Sequence, residues 1–378
     1  MSIYLDHAAT TPLHPAVREA MLPYLDERFG NPSSIHRYGR QIRAAIDKAR
    51  DQVATSLNCD SRTIVFTSGG TEADNTALIG AALALRARGK HIVTTAIEHQ
   101  AVLDTCRFLE EIGYRVTYIP VDGTGMVHVE EVAAHLTDET VLVSVMYGNN
   151  EVGTVQPIAE LGALAREKGV LFHTDAVQAF GSIPLDLQRL PVDLLTVAAH
   201  KINGPKGVGA LYVAPKVHLA PLQFGGSQER QRRAGTENVP GIVGFGEAAA
   251  IAAAQVEEKR LHCAALRRTM LAVWEENGID VVINGHPTAH LPHILNISFR
   301  GVDTEAMLMN LDLAGIACSS GSACTAGSLQ PSHVLQAMQL SDEVIASAIR
   351  ISFGRGNTVE DVTRAAEEMV AVVKRLKK

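Results

Sequence analysis

Residues 196–209, TVAAHKINGPKGVG, set one lysine, Lys201, where an apolar run stops and a loop of glycines and a proline begins. A lysine amine is protonated near neutral pH and is then no nucleophile, but desolvation and neighbouring charge free it to condense with an aldehyde. If that aldehyde is pyridoxal 5'-phosphate, a carboxylate belongs nearby, because the protonated ring nitrogen that makes the cofactor an electron sink needs an anion beside it. Asp175 meets this need: it follows the apolar run GVLFHT at 169–174, at a strand end, where open α/β sheets present functional side chains. Gln178, three residues on, can donate to the phenolic oxygen of the ring. The same aspartate also suits the N-cap of a following helix.

The phosphate needs backbone N–H donors at a helix start. RTIVFT at 62–67 followed by SGGTE at 68–72 reads as strand, glycine turn and helix start, with Thr71 adding a hydroxyl. The turn matches neither a Walker A loop nor GxGxxG. Alone it is an ordinary strand-to-helix connection, and its company with Lys201 and Asp175 gives it weight.

Further motifs follow in order: YLDHAATTP (4–12), GNPSSIH (30–36), TSGGTEADN (67–75), EHQ (98–100), NNE (149–151), SSGSAC (319–324) and RIS (350–352). Over essentially the whole chain they resemble the pyridoxal-phosphate-dependent cysteine desulfurases of group I, the NifS/IscS-like branch of the class-V aminotransferases. The resemblance implies fold type I: an α/β large domain with a mostly parallel, seven-stranded-type sheet covered by helices, plus a smaller α+β domain. It implies that Lys201 carries the cofactor, Asp175 pairs with the ring nitrogen, Gln178 meets the phenolic oxygen, and His99 stacks on the ring as an acid/base. Asn150 is then beside cofactor and substrate. Gly70, Thr71 and His200 hold phosphate with Thr236 of the neighbouring subunit of a homodimer, and Arg350 clamps the substrate carboxylate. One position departs from the pattern: Ala198 stands where relatives commonly carry a phosphate-binding serine, and Thr196, two residues earlier on the same strand face, is a candidate substitute.

Cys324 lies in CSSGSACTAGS (318–328), a run of small residues that buries little apolar area. Such a loop, about 318–330, is expected to move. A free thiol is most often a buried structural residue, but this neighbourhood offers little core, which favours a reactive cysteine. The implied activity takes sulfur from L-cysteine: His99 or Lys201 removes the α-proton, Cys324 attacks Sγ, and a Cys324 persulfide and L-alanine result. The sulfur then passes to an acceptor protein, an iron–sulfur scaffold or a tRNA thiolase. Another fold-type I enzyme, an aminotransferase or selenocysteine lyase, would not depend on Cys324, and a docking subunit would have lost the chemistry. No stable metal site is expected beyond transient iron–sulfur ligation by Cys324. In IRISF (349–353), alternation puts Arg350 and Ser352 on one strand face, where a guanidinium fork suits a carboxylate, and Arg355 is the nearby competitor.

The remaining features describe what must position these groups. With 378 residues and 46% hydrophobic content the chain can form two packed domains, and the family resemblance adds the N-terminal arm to the smaller one, which implies a division into 12–258 and 1–11 with 259–378. A net charge of −7 argues against direct nucleic-acid binding over the surface. Five cysteines without a CxxC suggest neither a disulfide framework nor a zinc site, and imply a reducing compartment. The alanine-rich stretch 242–256 contains Glu247 and reads as a buried helix, not a membrane span, and with no sign of a secretory signal the expected location is cytoplasmic. Strands are expected at 91–95, 116–119, 141–146, 170–173 and 194–198, with helices at 74–88 and 158–168. A long helix from 241 to about 276 bridges the domains, and an amphipathic helix at 359–377 ends the chain.

Overall fold

The structure is a computed structural model that describes residues 2–321 and 331–377, so Cys324 lies outside the described residues. Its strands are β1 (Ile3–Tyr4), β2 (Ile64–Thr67), β3 (His91–Thr95), β4 (Arg115–Ile119), β5 (Thr140–Ser144), β6 (Leu171–Asp175), β7 (Leu194–Ala198), β8 (Gly209–Val213), β9 (Val282–Asn284), β10 (Ile294–Ser298), β11 (Ile316–Ala317) and β12 (Ala348–Ser352). Its helices are α1 (Pro15–Met21), α2 (Arg37–Ser56), α3 (Gly70–Leu85), α4 (Gln100–Glu111), α5 (Val129–His135), α6 (Ile158–Glu167), α7 (Val239–Glu276), α8 (Thr304–Leu313), α9 (His333–Ala337), α10 (Asp342–Ile345) and α11 (Val359–Leu376).

A seven-stranded sheet runs β2-β8-β7-β6-β5-β3-β4. From β7 to β4 every pairing is parallel, while β8 is antiparallel to both its neighbours. Parallel strands must be covered on both faces, which is why they read as continuous apolar runs and not as alternations. One face packs on α3 and α4 through Ala77, Ala81, Val102 and Cys106, the other on α2, α6 and α7 through Ile46, Val53, Leu161 and Phe245. The reversal into β8 makes the Lys201 loop a β7–β8 connection. There Gly209 passes so close to the next connection that a Cβ on it would lie 2.7 Å from the Gly69 carbonyl carbon, so only glycine fits without displacing backbone.

A second core gathers Ile3, Leu5, Met270, Trp274, Phe299, Ile351 and Val373 around the antiparallel sheet β12-β10-β9 and the parallel pair β1-β11. Helix α7 serves both cores, with Ile242 and Phe245 in the first and Leu266 and Trp274 in the second. Two of its three glycines are contact points with other helices: a Cβ at Gly244 would meet Met21 at 2.6 Å, and one at Gly246 would meet Ala49 at 2.6 Å. Helix α7 is long and apolar enough to cross a membrane by length and composition, but its faces pack on α1, α2 and α11. The helix expected at 74–88 begins four residues earlier, because its first turn is the glycine turn itself. The strand expected at 141–146 stops at Ser144, and Tyr147 N–H then donates to the Asp175 carbonyl at 2.8 Å.

Candidate active site

The ends of β6 and β7, the start of α3 and the N-terminal arm converge on Lys201. Its Nζ donates to the Ala8 carbonyl at 2.5 Å and the Ala9 carbonyl at 2.8 Å. Burial lowers its amine to about 8; the Arg350 guanidinium acts in the same direction, and Asp175 and Asp6 oppose. Gln178 is held beside it, its amide N–H reaching the same Ala8 carbonyl at 2.9 Å.

Asp175 closes β6, and the chain continues as turns, not as the helix its N-cap reading allowed. Val177 N–H donates to its Oδ1 at 2.9 Å, and Oδ2 accepts no hydrogen bond among the described residues. Burial pushes its pKa up, opposed by His99, the Val177 N–H and Lys201. Beneath it lies a layer of buried acids that sequence reading missed. Asp74 is 1% exposed and pushed well up, by burial first and Asp175 second. Glu98 is fully buried and raised to about 8 by burial, although Thr95 Oγ1 and Met146 N–H donate to its Oε1. Of these three acids, Asp175 alone has both His99 and Lys201 acting against the upward push of burial. His173, lowered to about 3 by burial, is a neutral spacer bonded to Ser144 Oγ and Thr196 Oγ1. That last bond answers the question raised by Ala198: the Thr196 hydroxyl faces His173, 3.1 Å away, so it does not replace a phosphate donor.

His99 is the N-cap of α4, its Nδ1 accepting from Ala101 N–H at 3.1 Å, with the ring exposed. Gly70 opens α3, where a Cβ would lie 3.0 Å from Val177 Cγ2. Thr71 is exposed next to it, and the first N–H groups of a helix have no intrahelical acceptors. His200 Nδ1 lies 3.2 Å from Thr10 Oγ1, and burial, with Lys201 and Lys206, lowers the ring to about 4, so the ring is neutral near pH 7. Thr236 is exposed on the wall of a 270 Å³ cavity shared with Ser68 and Arg233.

Arg350 is 2% exposed. Its Nη1 donates to the Asn150 carbonyl at 2.9 Å and the Gly321 carbonyl at 3.3 Å, and its Nη2 to Asp6 Oδ1 at 2.9 Å. Its Nε is buried with no partner among the described residues. Arg355 is exposed and lines a different cavity. Glu151, another residue missed, accepts from Ser332 Oγ at 2.5 Å; burial raises it, and Ser332, His333, Arg350 and His99 oppose. Asp6 and Glu151 both sat in quoted motifs, but nothing local announced their partners.

Pyridoxal phosphate fits this set. A lysine with a lowered pKa, a carboxylate with a free oxygen, an exposed imidazole face and a glycine-opened helix N-terminus are the groups its aldehyde, ring nitrogen, ring face and phosphate require.

A family model for class-V aminotransferases matches residues 3–365. The chain is 54% identical over 376 residues to a Bacillus subtilis (strain 168) relative whose name provisionally assigns it to cysteine desulfurase as IscS 1, covering 99% of each chain. It is 48% identical to the cysteine desulfurase IscS of Methanosarcina thermophila, over 100% of this chain and 93% of that one. A solved NifS-like protein superposes with a TM-score of 0.93 at 37% identity, over 99% of this chain and 100% of that one. The chain belongs to the pyridoxal-phosphate-dependent class-V aminotransferase family, in its cysteine desulfurase branch.

Proposed function

We propose that this protein takes sulfur from L-cysteine, leaving L-alanine and a persulfide on Cys324, and passes that sulfur to an acceptor protein. The observation that supports the reading best is the convergence of Lys201, with its amine lowered to about 8, on Asp175 and Arg350, with His99 acting on the same Asp175. When bound, pyridoxal phosphate supplies an electron sink for the substrate Cα. Lys201 would hold it, with Asp175 at the ring nitrogen, Gln178 at the phenolic oxygen, His99 on the ring face, and Gly70, Thr71 and His200 at the phosphate. Arg350 offers the substrate carboxylate its free Nε and the Nη2 now shared with Asp6. Asn150 lies beside it, its carbonyl fixing the guanidinium. His99 or the Lys201 amine takes the α-proton. The Cys324 thiolate then attacks Sγ: an S–S bond forms, the substrate Cβ–Sγ bond breaks, and the three-carbon remainder takes up protons to leave as alanine.

The desulfurase reading is preferred to an aminotransferase because of Cys324 in its small-residue loop, and to selenocysteine lyase because the relatives are named for cysteine. The acceptor is an iron–sulfur scaffold or a tRNA thiolase, the enzyme a cytoplasmic homodimer in which Thr236 serves the neighbouring site, and the domains divide at 12–258 against 1–11 and 259–378. Incubation with cysteine and a reductant tests the reading. Wild type should release equal alanine and sulfide, and Cys324→Ala neither; full turnover by the variant would refute the role of Cys324.

A further inference from the structure

Away from the acid layer, a cavity of about 430 Å³ opens between α7 and the turn after β12, with Lys201 on its wall. Its sides are partly apolar, including Ile251, Ala252 and Phe353. Its charge is not balanced. Lys259 projects from α7 with one hydrogen bond, to Ser182 Oγ at 3.1 Å, and no ion pair among the described residues. A lysine ammonium has three N–H donors, and a cation removed from water is ordinarily matched by an anion. Arg355, exposed on the same cavity, likewise has no ion pair among the described residues. The one carboxylate on the wall, Glu258, is exposed and makes no ion pair with either.

Three histidines around the cavity are lowered by burial first and by these positive charges second. His7 is lowered to about 4 by burial and then by Lys259. His293 is lowered well below its ordinary value by burial, then Lys259, His7, Lys201 and Arg350. His14 is lowered by burial and then by Arg355, against a smaller opposing effect of Glu247. Three neutral imidazoles facing two unpaired cations leave a potential that an anion would relieve. The volume lies in the range of small-molecule sites, and the apolar walls suit a carbon skeleton.

We propose that this cavity binds a small organic carboxylate, anchored by Lys259 and met by Arg355. The site is separate from the Arg350 clamp and does not depend on the desulfurase reading. Titration calorimetry of the cofactor-loaded enzyme with succinate, in chloride buffer of constant ionic strength, tests it alongside Lys259→Met and Lys259→Arg. Wild type should bind saturably, Lys259→Met at least about tenfold more weakly, and Lys259→Arg close to wild type. A succinate response that Lys259→Met leaves unchanged belongs to Arg350 and overturns the proposal, as does the lack of saturable binding to wild type. Inorganic phosphate or sulfate binding more tightly than succinate would overturn the carboxylate assignment. Lys259→Met keeps the aliphatic stem and loses an unpaired cation, so its Tm without succinate should match or exceed wild type. A lower Tm would mean that the ammonium is already satisfied within the protein, and would also count against the site.

Discussion

Replacing Arg350 by glutamine should raise the pH at which Lys201 becomes reactive. The Lys201 amine lies at about 8 against an ordinary 10.5, so at pH 7 the neutral, nucleophilic fraction is roughly 300-fold larger than for a solvated lysine. Burial is the first cause and Arg350 the second, with Asp175 and Asp6 opposing. Arg350→Gln removes the one cationic contribution and releases Asp6, now 2.9 Å from Nη2, to act on the ammonium unopposed. Both changes favour the charged amine. The assay is the rate at which cofactor-free protein condenses with pyridoxal phosphate, followed by absorbance as a function of pH. Wild type should show a midpoint near 8 and the variant a higher midpoint with the same high-pH plateau. A wild-type midpoint near 10.5, or a variant midpoint unmoved or lower, would refute the electrostatic account of Lys201.

Glu98→Gln should change how stability depends on pH. Glu98 is raised from 4.5 to about 8 in the folded chain, so the folded state holds the extra proton between those values, and its stabilising contribution is lost as pH rises through about 8. Wild type should therefore lose urea resistance relative to Glu98→Gln between about pH 5 and pH 9, and parallel curves would contradict the buried proton. Arg50→Met should destabilise by about 3–5 kcal/mol. It strips the two-pronged partner, at 2.7 Å on each oxygen, from a Glu229 carboxylate that is only 8% exposed and also holds Phe66 N–H at 3.0 Å. Urea unfolding checks it, and a cost under about 1 kcal/mol would mean that water replaces the guanidinium. Gly209→Ala should weaken pyridoxal phosphate binding while the protein stays folded, because its Cβ would sit 2.7 Å from Gly69 and 2.8 Å from the Val197 carbonyl oxygen. Unchanged cofactor affinity would show that the turn absorbs the methyl group.

The sequence made the strand ends legible because parallel strands buried on both faces leave unbroken apolar runs. The runs ending at Asp175 and Ala198 sit within a residue or two of where they were expected, and Asp175 and Lys201 follow from those ends. The sequence did not disclose contacts made across the fold. Ala8 gives one carbonyl to both Lys201 and Gln178, 193 and 170 residues away, and Asp6 meets Arg350 across 344. A backbone carbonyl carries no sequence signal, and an aspartate in a short arm does not reveal its partner. Alternation around Arg350 marked a polar face correctly but could not say that the face turns inward, where Asp6 and two carbonyls satisfy it. The buried acids were hidden for a related reason. Asp74 and Glu98 stand in polar motifs, and it is burial in the folded chain, with Asp175 adding to it, that raises their pKa.

The account stands on sulfur moving from free cysteine to one side chain of this chain. Mass spectrometry of peptides from protein treated with L-cysteine, quenched with an alkylating reagent, measures that directly. The peptide containing Cys324 should carry one additional sulfur atom in wild type, and no such peptide should appear in Lys201→Ala or Cys324→Ser. Additional sulfur found on Cys318 or another cysteine instead, or on Cys324 in the Lys201 variant, would contradict the account.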